Sequence, residues 1–132
     1  MAPSELPYKE IPKLLFRHRD ITTNMQLEDI IELIYPEEKT PAKKKVAIAI
    51  LTELRKNLRA GMTKKDLAKF QKNTKSLSKA TFYRVLADLK RLGFVRYEDY
   101  AYTYYLSNDF ATALERLAKA YRKWIESALQ QS

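Results

Sequence analysis

The feature that most constrains this chain is a change of residue period at Gly93. Before it, Phe82, Val85, Leu86, Leu89 and Leu92 recur at helical spacing behind Ser78, a residue type that caps helix N-termini. After it, residues 94–98 and 101–106 are rich in aromatic and β-branched side chains. Tyr102, Tyr104 and Leu106 there alternate against Thr103 and Tyr105, the period of a strand. Asp99 and Tyr100 fall at the hairpin tip, with no glycine to fix the turn type. A hairpin is marginal alone and a one-sided helix must bury its apolar face. Both therefore need a core shared with the elements before them.

Those elements can be read outward from the same point. Thr63 and Asp66 are spaced as a capping box, opening a short helix through about Gln71 with Leu67, Ala68 and Phe70 as its apolar residues. Residues 72–77 read as a turn, and Met62, apolar between two helices, fits a one-residue β bridge. Thr40 as cap and Pro41 at the first position open a longer helix. Val46, Ile50, Leu54 and Leu58 stripe it to about Arg59, and Gly61 is the expected stop. Residues 36–41 form a linker. Before them, Thr23 and Gln26 are spaced as a capping box for a helix carrying Leu27, Ile30, Ile31 and Ile34, ended by Pro36. Pro3, Pro7 and Pro12 exclude one long helix over residues 1–23, where Ile11, Leu14, Leu15 and Phe16 fit a short helix or an apolar arm. A last helix starts after Ser107 or Asn108. Its apolar residues Phe110, Leu114, Leu117, Tyr121, Trp124 and Ala128 alternate spacings of four and three, a heptad seam.

Charge is distributed as unevenly as apolarity. Of the net +9, residues 1–41 contribute −3, residues 42–93 contribute +12 with 15 basic and 3 acidic side chains, and residues 94–132 contribute zero. A basic cluster is the footprint of a polyanion partner, because each neutralised phosphate releases counterions. A lysine-rich solubilising surface of the thermophile kind is the alternative.

The segment Ser78-Lys-Ala-Thr-Phe-Tyr-Arg-Val-Leu-Ala-Asp-Leu-Lys-Arg-Leu-Gly-Phe-Val95, followed by Tyr104-Tyr105-Leu106, resembles the winged helix-turn-helix family across residues 42–106. Ser78, Thr81, Tyr83, Arg84, Leu86, Leu89, Gly93, Phe94 and Val95 carry the resemblance. It implies a mainly α fold with a small β-hairpin wing. An arm and helix at residues 1–40, the winged domain at 41–107 and a dimerisation helix at 108–132 would make up the chain. The flanking helices are similar in outline to those that dimerise PadR-like regulators and some archaeal plasmid-partition proteins.

The resemblance also implies sites. A helix fits the DNA major groove with its N-terminal half on base edges. That assigns base contacts to Lys79, Ala80, Thr81, Tyr83 and Arg84. Arg84 can take guanine O6 and N7 together, or pair with Asp88 one helical turn on. Phosphate contacts fall to Lys64, Lys65, Lys72, Thr74, Lys75, Ser76, Ser78, Arg91 and Arg96. The wing tip departs from the family, since Glu98 and Asp99 stand where basic residues would enter the minor groove. Tyr97, Tyr100, Tyr102, Tyr104 and Tyr105 can stack on bases, face a protein partner, or half-bury on the sheet. The heptad seam either covers the chain's own core or pairs with a second copy. The latter makes Ile30, Ile34, Phe110, Leu114, Leu117, Tyr121, Trp124 and Ala128 the dimer interface.

The expected function is double-stranded DNA binding by a homodimer, as a site-specific transcriptional regulator acting in the cytoplasm on the nucleoid. Two alternatives are an architectural or plasmid-partition protein that spreads on DNA and recruits a protein, and a winged helix that binds only protein. Catalysis finds no support. There are two glycines and no phosphate loop, and no nucleophile has an adjacent base. Without cysteine, and with His18 as the single histidine, neither a disulfide nor a metal site has ligands, and no cofactor is expected. The longest apolar run, Val46 to Leu51, is far short of a membrane span, and the start of the chain carries no secretion signal.

Overall fold

In a computed structural model the described residues are 16 and 18–131. The expectations for residues 1–15 and Arg17 lie outside them. The chain is mainly helical with one small antiparallel sheet. The order is α1 (Leu27–Glu32), α2 (Pro41–Lys56), β1 (Met62–Thr63), α3 (Lys64–Asn73), α4 (Lys79–Leu92), β2 (Val95–Glu98), β3 (Thr103–Leu106) and α5 (Asp109–Gln131). Short 3-10 turns lie at His18–Asp20 and Asp99–Ala101.

The core sits between α2 and α4. Val46, Ala47, Ile50, Leu51 and Leu54 of α2 meet Phe82, Val85, Leu86 and Leu89 of α4, all buried. Leu67 from α3, Ile31 from α1, and Met62, Phe94 and Val95 around the sheet complete it. Fully burying each such side chain contributes roughly 1.5–3 kcal/mol. The local signals at α3 and α4 are made as the residues prescribe. Thr63 Oγ1 accepts from Asp66 N while Asp66 Oδ2 accepts from Thr63 N, both at 3.1 Å. Ser78 Oγ accepts from Thr81 N at 3.5 Å.

Gly93 closes α4 with φ +92°. A Cβ there would lie 2.7 Å from the Phe110 nitrogen, so the position needs glycine for space as well as for backbone freedom. Its carbonyl accepts from Phe110 N at 2.9 Å, and Phe94 O accepts from Ser107 N at 2.8 Å. The Phe94 and Phe110 rings stack 4.0 Å apart. The start of α5 is thereby fixed to the end of α4.

Met62 does more than bridge. With Thr63 it pairs against Tyr104 and Thr103, so the sheet has three strands in the order β1-β3-β2. In the hairpin, Val95 faces Leu106 and Tyr97 faces Tyr104. The tip is a 3-10 turn over Asp99–Ala101, and Tyr102 takes the left-handed conformation, φ 49°, that a glycine would usually hold.

Three boundaries differ from the sequence reading, each for a physical reason. Helix α1 begins at Leu27 because Asp29 Oδ2 accepts from Gln26 N at 3.0 Å; Thr23 stays exposed outside the helix. It ends at Glu32, and Tyr35 turns inward, its hydroxyl donating to Asp88 of α4 at 2.6 Å. The Thr40 hydroxyl donates to Pro36 O at 3.0 Å instead of capping α2. Helix α2 stops at Asn57, before Gly61, where the Asn57 amide donates to Glu53 O at 3.0 Å. The next apolar residue, Leu58, has no apolar cover to hold another turn and is exposed.

Candidate nucleic-acid interface

Helix α4 has two faces of opposite character. With its leucine side sealed against α2, the outer side presents Lys79, Ala80, Tyr83, Arg84 and Ala87, all exposed. Thr81 is half-buried. The side-chain register follows from the buried positions: three- and four-residue steps fix which residues point away.

Arg84 makes no ion pair with any described residue. Asp88, its possible partner, is already engaged by Tyr35 and by Arg91, whose Nη2 lies 3.2 Å from Asp88 Oδ1. Burial, then the Asp88 carboxylate, raise the Tyr35 pKa, so its hydroxyl stays protonated as the donor.

The lysines at the start of α3, Lys64 and Lys65, are exposed beside this face. Together with Ala68, Tyr83 and Tyr104 they line a cleft of about 510 Å³ between α3, α4 and the sheet. Lys64 Nζ lies 5.1 Å from the Tyr97 ring and 5.9 Å from the Tyr102 ring. Lys90, two turns on from Tyr83 along the same side of α4, lies 5.2 Å from Tyr97. The Tyr97 hydroxyl beside Lys64 raises the Lys64 pKa, so the ammonium stays charged. Burial raises that of Tyr104.

The other expected phosphate contacts are less uniform. Ser78 and Lys79 stand at the N-terminus of α4, and Lys72, Lys75 and Ser76 flank the turn before it, exposed. The Thr74 hydroxyl donates to Phe70 O at 2.8 Å, closing α3. Arg91 and Arg96 both carry carboxylate partners, Asp88 for the first and Glu98 at 3.0 Å for the second. Arg96 also lies over the Tyr105 ring at 5.2 Å. The basic side of the hairpin is thus locally neutralised. Its tip is acidic, and Tyr100 stands 83% exposed. The remaining hairpin tyrosines divide: Tyr97, Tyr104 and Tyr105 are half-buried, Tyr102 exposed.

The residues assigned to a dimer interface also divide. Ile30, Ile34 and Phe110 are half-buried and pack on the chain's own core. Leu114, Leu117, Tyr121 and Trp124 are 41, 66, 62 and 70% exposed, and Ala128 is exposed with them. No described residue covers that stripe.

Two elements of the site escaped the sequence reading. The helical period puts Lys90 on the side of Tyr83, but its partner ring is on the next strand, and no period within the helix reports that contact. The Tyr35–Asp88 clasp joins residues 53 apart, and neither carries a local signal. Among the described residues no group of three or more His, Cys, Asp or Glu could hold a metal ion, and no helix is long and apolar enough to cross a membrane. Compared with known proteins, the chain matches no family model, no curated protein and no solved structure.

Proposed function

We propose that the chain is a winged helix-turn-helix protein that binds double-stranded DNA as a homodimer and acts as a site-specific transcriptional regulator. The observation that carries the reading is the outer face of α4. Lys79, Tyr83 and Arg84 stand exposed on a helix whose other face is buried, and Arg84 has no carboxylate among the described residues. A guanidinium free of competing anions on the N-terminal half of an exposed helix suits bidentate recognition of guanine. Lys64, Lys65, Lys72 and Lys75 then flank it as phosphate contacts, setting register without reading sequence. In this reading α3 and α4 form the helix-turn-helix, β2 and β3 the wing, and α5 the dimer contact. Duplex binding would place the protein on the nucleoid.

The test is selection of bound sequences from random duplex DNA, followed by affinity for selected and random duplexes at physiological salt. Preference for the selected site by roughly a thousandfold or more is expected. Equal affinities would remove site specificity.

A second reading concerns the hairpin alone. Glu98, Asp99 and the exposed Tyr100 at its tip oppose entry into the minor groove and suit a contact with protein instead. Substituting Glu98 and Asp99 by lysine separates the two. Tighter duplex binding places the tip near DNA, and no change places it elsewhere.

A further inference from the structure

The exposed stripe of α5 has an internal symmetry. Its six seam positions are 110, 114, 117, 121, 124 and 128. They mirror one another about residue 119, so that 110 pairs with 128, 114 with 124 and 117 with 121. Two copies of α5 running in opposite directions about a two-fold axis at residue 119 bring these pairs face to face. We propose that two copies of this chain associate through α5 in this antiparallel register. Each distal half, from Tyr121 onward, lies in the groove at the base of its partner's helix. The inference rests on the homodimer of the preceding reading and gives it a geometry.

Side-chain size favours this direction. The antiparallel pairs are Phe110 with Ala128, Leu114 with Trp124 and Leu117 with Tyr121, each joining a larger side chain to a smaller one. Running parallel, Trp124 would meet Trp124 and Tyr121 would meet Tyr121, while Ala128 faced Ala128 across a gap. Layers of uneven volume pack poorly. The charged side chains Glu115, Arg116, Lys119, Arg122, Lys123 and Glu126 all lie off the seam and off its flanks. The flanking positions 111, 113, 118 and 120 are all alanine, which lets two helices approach closely.

The groove fits the same arrangement. A cleft of about 790 Å³ runs along the base of α5, walled by Ile21, Met25, Ile30 and Leu33 on one side and by Phe110 and Leu114 on the other. Ala111 and Ala118 line it from α5 as well. The mirror position of Ala111 is the partner's Ser127; Ile125, two residues from it on the same flank of the seam as Ala111 and Ala118, is 39% exposed in the single chain. A parallel pair would leave this cleft open. The antiparallel pair also sets the two Phe110 residues about 27 Å apart along the coil.

The chain has no cysteine, so introduced ones report without background. In the antiparallel register the two copies of residue 118 lie about 3 Å apart along the axis, and those of residue 128 about 27 Å. A disulfide needs its Cα atoms within about 7 Å. Ala118→Cys and Ala128→Cys, both small replacements that spare the large seam residues, are oxidised mildly and run without reductant, and mass is read by light scattering. The expected result is a dimer mass for the native chain, most Ala118→Cys chains cross-linked, and Ala128→Cys unlinked. Trp124→Asp, remote from the monomer core, should give a monomer mass with helicity retained. A dimer in which Ala128→Cys links, or in which neither variant links, overturns the register while leaving the dimer standing. A native monomer mass overturns both, and duplex affinity measured on the same samples tests DNA binding separately.

Discussion

Helices α4 and α5 carry apolar stripes that look alike on paper, and the fold uses them in opposite ways. In α4, Phe82, Val85 and Leu89 are wholly buried and Leu86 nearly so. In α5, Leu114, Leu117, Tyr121 and Trp124 keep between 41 and 70% of their surface exposed. Both helices are long, both alternate steps of three and four, and both put their charges on the other side. The difference lies in what is opposite. Helix α4 has α2 and the sheet across from it, while beyond Phe110 the stripe of α5 borders only an open cleft against Ile21, Met25, Ile30 and Leu33. Periodicity therefore announces that a face will be covered without saying by which chain.

Paired substitutions break or sharpen this contrast. Leu89→Ala should cost about 2–5 kcal/mol of stability in urea unfolding, as a buried truncation with no room to collapse. Arg84→Ala, on the opposite face of the same helix, should leave stability alone. It should weaken binding to a selected duplex by about 1–3 kcal/mol, or roughly fivefold to 150-fold, in an anisotropy titration. Gly93→Ala, at the junction of the two helices, should cost roughly 1–3 kcal/mol through its positive φ and its clash with the Phe110 backbone. Tyr35→Phe removes only the hydroxyl that holds α4 through Asp88, and about 1 kcal/mol should follow. The smallest effect is the most telling. Leu117→Ala in dilute protein should change unfolding by less than about 0.5 kcal/mol, yet shift self-association markedly in sedimentation. Were it to cost as much as Leu89→Ala, the stripe of α5 would belong to the monomer and the contrast would vanish.

Much of the fold was legible from local rules. Ser78, Gly93 and the Thr63–Asp66 pair each act through neighbours within a few residues, and each appears where the sequence placed it. The limits of α1 and α2 were less so, because they depend on competition. Asn57 and Asp29 offer their own backbone bonds, and Tyr35 is drawn inward by a carboxylate far along the chain. On the candidate site, the outward face of α4 followed from the leucine spacing. The engagement of Arg91 and Arg96 by carboxylates did not: the partners lie only three and two residues away in the same element, a spacing that permits the contact without fixing the rotamers that make it. Ile30 and Ile34, assigned to the dimer interface, rest against the chain's own core. An apolar residue in a short helix leaves open which neighbour it will find.

The two main-chain bonds at the junction, Phe110 N to Gly93 O and Ser107 N to Phe94 O, carry a further implication. They join peptide groups, which every residue type but proline supplies. The tilt between the exposed helix and the projecting one is therefore insulated from substitutions along either. Helices joined this way move as one bent lever. In such a protein the distance between paired reading heads would be retuned by lengthening the arm, not by changing its angle.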